Sequence, residues 1–167
     1  MRDFPVHIRG TLNFRVRSES GRVLFSWSKP NTITSAAADV VRSLMAQRAV
    51  DPAAAQLALG SMRFGTSNTT PTTADTDLWS EVVGVRKQLT DGRKVNGSSG
   101  ELILMATLES GDGNGNTFAE AGLFTTGASW SADVGGNLQL YSRQVYPAQL
   151  KIVGQSFEYE WIIQFTV

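Results

Sequence analysis

Val6-His7-Ile8-Arg9-Gly10-Thr11-Leu12-Asn13-Phe14-Arg15-Val16 is the stretch on which the fold turns. Its even positions are Val6, Ile8, Gly10, Leu12, Phe14 and Val16, while its odd positions are His7, Arg9, Thr11, Asn13 and Arg15. An extended chain sends successive side chains to opposite faces, so this pattern predicts a long half-buried strand. Ser18-Glu19-Ser20-Gly21 supplies turn chemistry, and Val23, Phe25 and Trp27 then resume the alternation, with Leu24 the exception. The last segment repeats the pattern: Phe157, Tyr159, Trp161, Ile163, Phe165 and Val167 on one face, Ser156, Glu158, Glu160, Gln164 and Thr166 on the other. Ile162 is its sole apolar intruder.

Between these ends, strands are expected through Met62 and Phe64, then at Val82 to Leu89, Glu101 to Leu108, Phe118 to Thr125 and Leu138 to Val145. Asp91-Gly92, Asn96-Gly97, the Gly111 to Asn116 tract and Gly135-Gly136 separate the later ones as turns. Gly65 to Asp77 has alanine as its only apolar residue and reads as a surface loop. Ala37, Val40, Val41, Leu44 and Met45 recur at helical spacing behind Thr34 or Ser35 as N-cap. The expected fold is therefore mainly β: an antiparallel β-sandwich or flattened barrel with one amphipathic helix over about residues 35–48. Residues 1–30 form an N-terminal hairpin extension to a β-sandwich domain of residues 31–167, the two making a single folded unit. Both terminal strands are long and apolar on one side, so each poses an edge problem: its unpaired backbone groups must be covered, paired within the sheet, or paired with another subunit, and an assembly would solve it.

Composition narrows the function. A 167-residue chain buries roughly two-thirds of its unfolded surface, enough for one core. With no cysteine and one histidine, disulfide scaffolds, thiolate zinc sites and His-rich metal centres lack their ligands, and no cofactor is expected. Fifteen basic residues balance fifteen acidic ones without a Lys/Arg run, which speaks against nucleic acid as a partner. The start has no apolar h-region and no long apolar run follows, so neither secretion by the usual signal nor membrane insertion is expected.

Reactive constellations are sparse, and no enzymatic activity is expected. His7 lies on the polar face of its strand without an identifiable acid or nucleophile. Asp75, Asp77 and Glu81 are the carboxylates from which a sugar-cleaving pair could be drawn, but their plain reading is a solvated loop. Asp112, Asn114 and Asn116 match the first, third and fifth ligands of a calcium loop. That pattern then fails, because Thr117 replaces the glycine and Leu123 the bidentate glutamate, so a tight turn is the reading. Trp27 and Trp161 are in phase with apolar faces and belong to the core; Trp79 and Trp130, beside loops, are the candidates for partner contact.

Four pieces occur in a recognisable order: Asn31-Thr32-Ile33-Thr34, then Arg63-Phe64-Gly65-Thr66-Ser67-Asn68-Thr69-Thr70-Pro71-Thr72, then Leu78-Trp79-Ser80-Glu81, then Phe118-Ala119-Glu120-Ala121-Gly122-Leu123-Phe124. From Asn31 to about Lys151 the chain resembles bacteriophage tail-collar and tail-fibre N-terminal domains and related small baseplate and virion proteins. The resemblance implies a virion structural protein, made in the bacterial host cytoplasm and carried in the particle as a tail, baseplate or collar adaptor. Its partners would be other virion proteins, in a symmetric homo-oligomer. The chain ends at Val167 without the long shaft of fibre members, so a free-standing component is expected, and a capsid decoration protein or a carbohydrate-binding module for host attachment are the alternatives. Among the shared residues, Gly122 is read as a bulge or a close backbone approach. Glu81 and Glu120 are read as acceptors for loop amides or as partners of an arginine such as Arg86 or Arg143. Deleting residues 1–30 is expected to leave a folded domain that no longer enters the particle.

Overall fold

A computed structural model of the chain describes residues 7–37, 59–89, 94–96, 101–125 and 139–166. Ten strands follow one another: β1 (His7–Ser18), β2 (Val23–Pro30), β3 (Thr32–Ile33), β4 (Leu59–Gly65), β5 (Glu81–Gln88), β6 (Lys94–Asn96), β7 (Glu101–Leu108), β8 (Thr117–Thr125), β9 (Leu140–Leu150) and β10 (Gln155–Thr166). They form two antiparallel sheets. Sheet A has the order β2-β1-β10-β7-β6 and sheet B the order β3-β9-β8-β4-β5. The two do not close into a barrel, so of the two architectures the alternation allowed, the sandwich is the one formed. Of the expected helix, Ser35–Ala37 are helical and the remainder lies outside the described residues, as does Trp130.

Each strand buries the face its alternation marks. Leu12, Phe14 and Val16 of β1, Phe157, Tyr159, Trp161 and Ile163 of β10, and Leu104, Ala106 and Leu108 of β7 meet Met62, Phe64, Phe118, Leu123 and Tyr146 of sheet B in one core. Phe14 is its hub: the ring stacks on Tyr159 at a centroid distance of 4.8 Å and lies 4.5 Å from Tyr146 and 5.3 Å from Phe157. Aromatic pairs of this kind contribute about 0.5–1.5 kcal/mol each beyond the area they bury. The Tyr146 and Tyr159 hydroxyls meet at 2.9 Å in the middle of the sandwich and tie the two sheets together.

Several expectations are refined or changed here. Of the three ways of covering the edges of β1 and β10, pairing within the sheet is the one formed: they pair with each other along their whole length, from His7 opposite Thr166 to Ser18 opposite Gln155. The hairpin of residues 1–30 is accordingly no extension: β1 is an interior strand of sheet A and β2 its edge. Asn96, read as part of a turn, instead ends the short strand β6 that pairs with β7. β9 runs five residues past Val145, through Pro147. Proline is tolerated there because β3 pairs β9 only at Ser142 and Arg143, leaving no ladder on that side of Pro147.

Candidate functional site

The outer face of sheet B carries polar and charged side chains that are wholly buried, and residues 66–80 explain why. This segment leaves β4 at Gly65, crosses the face as a strap and returns into β5 at Glu81. It is mostly exposed, but Leu78 is buried and forms a small second core with Phe124 and Leu140.

Glu120 of β8 fastens the strap. Its carboxylate accepts the Ser80 amide at 2.8 Å, the Trp79 amide at 3.3 Å and the Ser67 amide at 3.4 Å, so both ends of the strap bind one side chain. The same carboxylate accepts Arg143 Nε at 2.8 Å and lies 2.7 Å from Arg143 Nη2, with neither side chain exposed. Arg143 Nη1 reaches the middle of the strap and donates to Asp75 Oδ2 at 2.9 Å. Thr72 completes the latch, donating its amide and hydroxyl to the Asp75 carboxylate at 3.1 and 2.8 Å. Burial by itself pushes Asp75 up, but the Thr72 donors and the Arg143 guanidinium outweigh it and hold the carboxyl below its ordinary value.

Two glycines make room for this. A Cβ on Gly65 would collide with the Glu120 carboxylate and the Ser80 carbonyl. A Cβ on Gly122 would lie 2.8 Å from Leu78 Cδ2 and 2.8 Å from Phe124 Cε2. Gly122 is thus a close approach; the irregularities of the β8–β9 pairing fall between Phe118 and Glu120 and between Leu123 and Phe124.

Glu81 belongs to a second network at the strap's far end. It accepts Arg86 Nε at 2.6 Å and lies 3.3 Å from Arg63 Nη1, and the Arg63 guanidinium stands 4.7 Å from the Phe124 ring centroid. Arg63 opens the second of the four sequence pieces but was given no role there, although strand alternation places it on the outer face beside Gly122. The Asn31–Thr34 segment ties in as well. Thr34 donates its hydroxyl to the Leu140 carbonyl, Asn31 donates its side-chain amide to Ser142 Oγ, and the Ser35 amide donates to the Thr73 carbonyl at 2.7 Å. All four sequence pieces therefore meet in one device. Compared with known protein families, characterised proteins and solved structures, the chain matches none.

What the strap presents outward is a cleft of about 330 Å³ lined by Ala74, Asp75, Thr76, Asp77, Leu78 and Trp79. Trp79 is 63% exposed beside it. Of the three carboxylates of this region, Asp75 and Glu81 are held by guanidinium groups, and Asp77 Oδ1 accepts the Leu78 amide at 2.8 Å. His7 is exposed at the start of β1.

The calcium-like tract is taken up by the protein's own cations. Lys151, fully buried, sends its ammonium to Asn114 Oδ1 at 3.2 Å and to the Ser110 carbonyl at 3.4 Å. Asp112 accepts Lys87 Nζ at 2.5 Å and the Glu109 amide at 2.7 Å, and Asn116 donates to the Gly113 carbonyl at 3.0 Å. Burial pushes the Lys151 ammonium down, opposed by the Asp112 and Glu109 charges. Burial likewise pushes Asp112 up, but Lys87, the Glu109 amide and Lys151 prevail and hold it low. No group of three or more His, Cys, Asp or Glu among the described residues is placed to hold a metal.

Proposed function

We propose that this chain is a bacteriophage virion structural protein, a tail, collar or baseplate adaptor that works by presenting a fixed surface to neighbouring subunits and carries out no reaction. One observation carries the reading. The residues that resemble tail-collar and tail-fibre N-terminal domains, spread from Asn31 to Phe124, are gathered at a single strap whose ion pairs are buried and whose outer surface is exposed. Such an arrangement holds a docking loop in one conformation before the partner arrives, which lowers the ordering cost of association. Trp79, on the strap, offers a neighbour an aromatic side chain that is 63% exposed.

The test is the particle. Mass spectrometry of purified virions should find the chain at three, six or twelve copies, and labelling should place it on the tail. Hundreds of copies would instead make it a capsid decoration protein, and its absence from particles removes the reading.

A second reading is favoured by the exposed Trp79 indole beside the cleft and Asp77, an aromatic platform next to a hydrogen-bonding carboxylate. These are the parts of a carbohydrate-binding module for host attachment. Glycan-array binding that disappears with Trp79→Ala would establish it.

A further inference from the structure

The two sheets treat their outer faces differently. Sheet B covers its own with the strap, whereas the centre of sheet A's outer face, on β1, β10 and β7, has no such cover among the described residues. From the strand register this face is built of rows. Pro30, Thr11, Ile162 and Ile103 form one, Ser28, Asn13, Glu160 and Met105 the next, and Ser26, Arg15, Glu158 and Thr107 a third. The apolar intruder Ile162 thereby acquires a place: it lies opposite Ile103, one row from Met105, which is 43% exposed.

Charge on this face is sorted into columns. Arg9, Arg15 and Arg17 stand on β1, while Glu158 and Glu160 stand on β10 and Glu101 on β7, so three positive charges face out beside three negative ones. Arg17 pairs with Glu158 at 2.7 Å, but Arg9 and Arg15 have no ion pair among the described residues. A partner of one charge sign would be repelled by half of such a surface. A second copy of the same surface would not.

We propose that the outer face of sheet A is a self-complementary interface through which two copies of this chain pair about a two-fold axis. With the axis along the strands, midway between β1 and β10, β1 of each copy lies over β10 of the other and every row keeps its height. Arg15 then opposes Glu158 of the second copy, Asn13 opposes Glu160, Ile162 covers the Thr11 methyl group and Ile103 the Pro30 ring. Stacked sheets lie about 10 Å apart and cross at roughly 30°, so the match is closest in these central rows. This is an isologous contact, in which each pairing occurs twice.

The pairing belongs to the assembly proposed above but fails separately from it. A dimer that never enters a particle leaves this inference standing, and a monomer found in particles overturns it alone. Sedimentation velocity of the full chain from about 5 to 200 µM spans the affinities expected of an interface of modest size. A concentration-dependent dimer is expected. Arg15→Glu and Glu158→Arg should each weaken it about tenfold or more, and the two together should bring it back to within about threefold of the parent. Met105→Glu, on an exposed side chain, should weaken it without lowering the melting temperature of the dilute, monomeric chain, and Val83→Ala, on an exposed side chain of the other sheet, should leave it unchanged. A parent chain that is monomeric at the top of the range overturns the proposal. So does a dimer indifferent to both reversals and to Met105→Glu, or one that the combined swap fails to restore while the variants melt as the parent does.

Discussion

Glu120 Oε2 and Arg143 Nε are 2.8 Å apart with both side chains fully buried, and the pair holds the strap to sheet B from beneath. Removing one member leaves the other charge in the interior, which costs about 3–5 kcal/mol. Glu120→Ala also frees the amides of Ser67, Trp79 and Ser80. Urea unfolding should therefore show a loss at the upper end of that range, and a loss below about 1 kcal/mol would mean the pair does not form.

Gly122→Ala should destabilise by about 1–3 kcal/mol, because its methyl group enters space held by Leu78 and Phe124. Leu78→Ala in the same chain should return part of that loss, so the double variant should be more stable than the sum of the two singles. Strict additivity in thermal melts would show that Leu78 and Gly122 do not touch.

The tyrosines predict alkaline sensitivity. Burial pushes Tyr141 up to about 12 and also raises Tyr146 and Tyr159 well above their ordinary value, with the Tyr146–Tyr159 hydrogen bond offsetting part of the rise at Tyr146. A folded value above the unfolded one near 10 means that the unfolded chain loses its protons first. The stability these groups contribute is thus complete below about pH 10 and falls as pH rises, by up to about 1.4 kcal/mol per pH unit for each buried phenol. Melting between pH 9 and 12 should show this slope, and Tyr159→Phe should make it shallower. The same slope in parent and variant would remove Tyr159 from the account.

Lys151 stands where a bound cation would otherwise satisfy the Gly111 to Asn116 tract. Lys151→Ala leaves Asn114 Oδ1 without its donor, while the Ser110 carbonyl keeps the Asn114 Nδ2 donor at 2.7 Å, and it opens a hole over the Phe157 ring, so a loss of about 2–4 kcal/mol is expected. Calcium or a chelator should shift the melting temperature of the parent chain by less than about 1 °C, the shift that saturable binding would exceed. A calcium-dependent rise of several degrees would show that the tract takes the ion after all.

Deleting residues 1–30 should abolish folding, in contrast to the expectation drawn from the hairpin pattern. It removes Leu12, Phe14 and Val16 from the core and strips β10 of its partner along twelve residue pairs. A truncated chain that is soluble, cooperative in melting and rich in β signal by circular dichroism would overturn this.

How much of this was legible varies from residue to residue. The strands at Glu101–Leu108 and Thr117–Thr125 were readable because alternation and flanking glycines mark them locally. The possible roles of Glu120 were readable as a pair of alternatives, a loop amide or an arginine, and the structure joins the two: both kinds of donor reach one carboxylate. Arg63 beside Glu81, Asp75 against Arg143 and Lys151 inside the glycine tract carried no local signal, since each partner lies 18 to 68 positions away along the chain. Which of the open alternatives covers the terminal strands was illegible for the same reason. An alternating strand shows which face is buried, yet nothing within it says which strand lies alongside.

The order of apolar and polar residues along the chain was by itself sufficient to make this a mainly β, antiparallel protein with a polar loop after Gly65, because side-chain direction in a strand depends only on position parity. Sandwich against barrel, the pairing of β1 with β10, and the strap that locks Asp75, Glu120 and Arg143 together were decided by tertiary structure. They depend on which strands close into one sheet, and the free energy of that choice comes from burial and charge pairing between residues far apart in the chain.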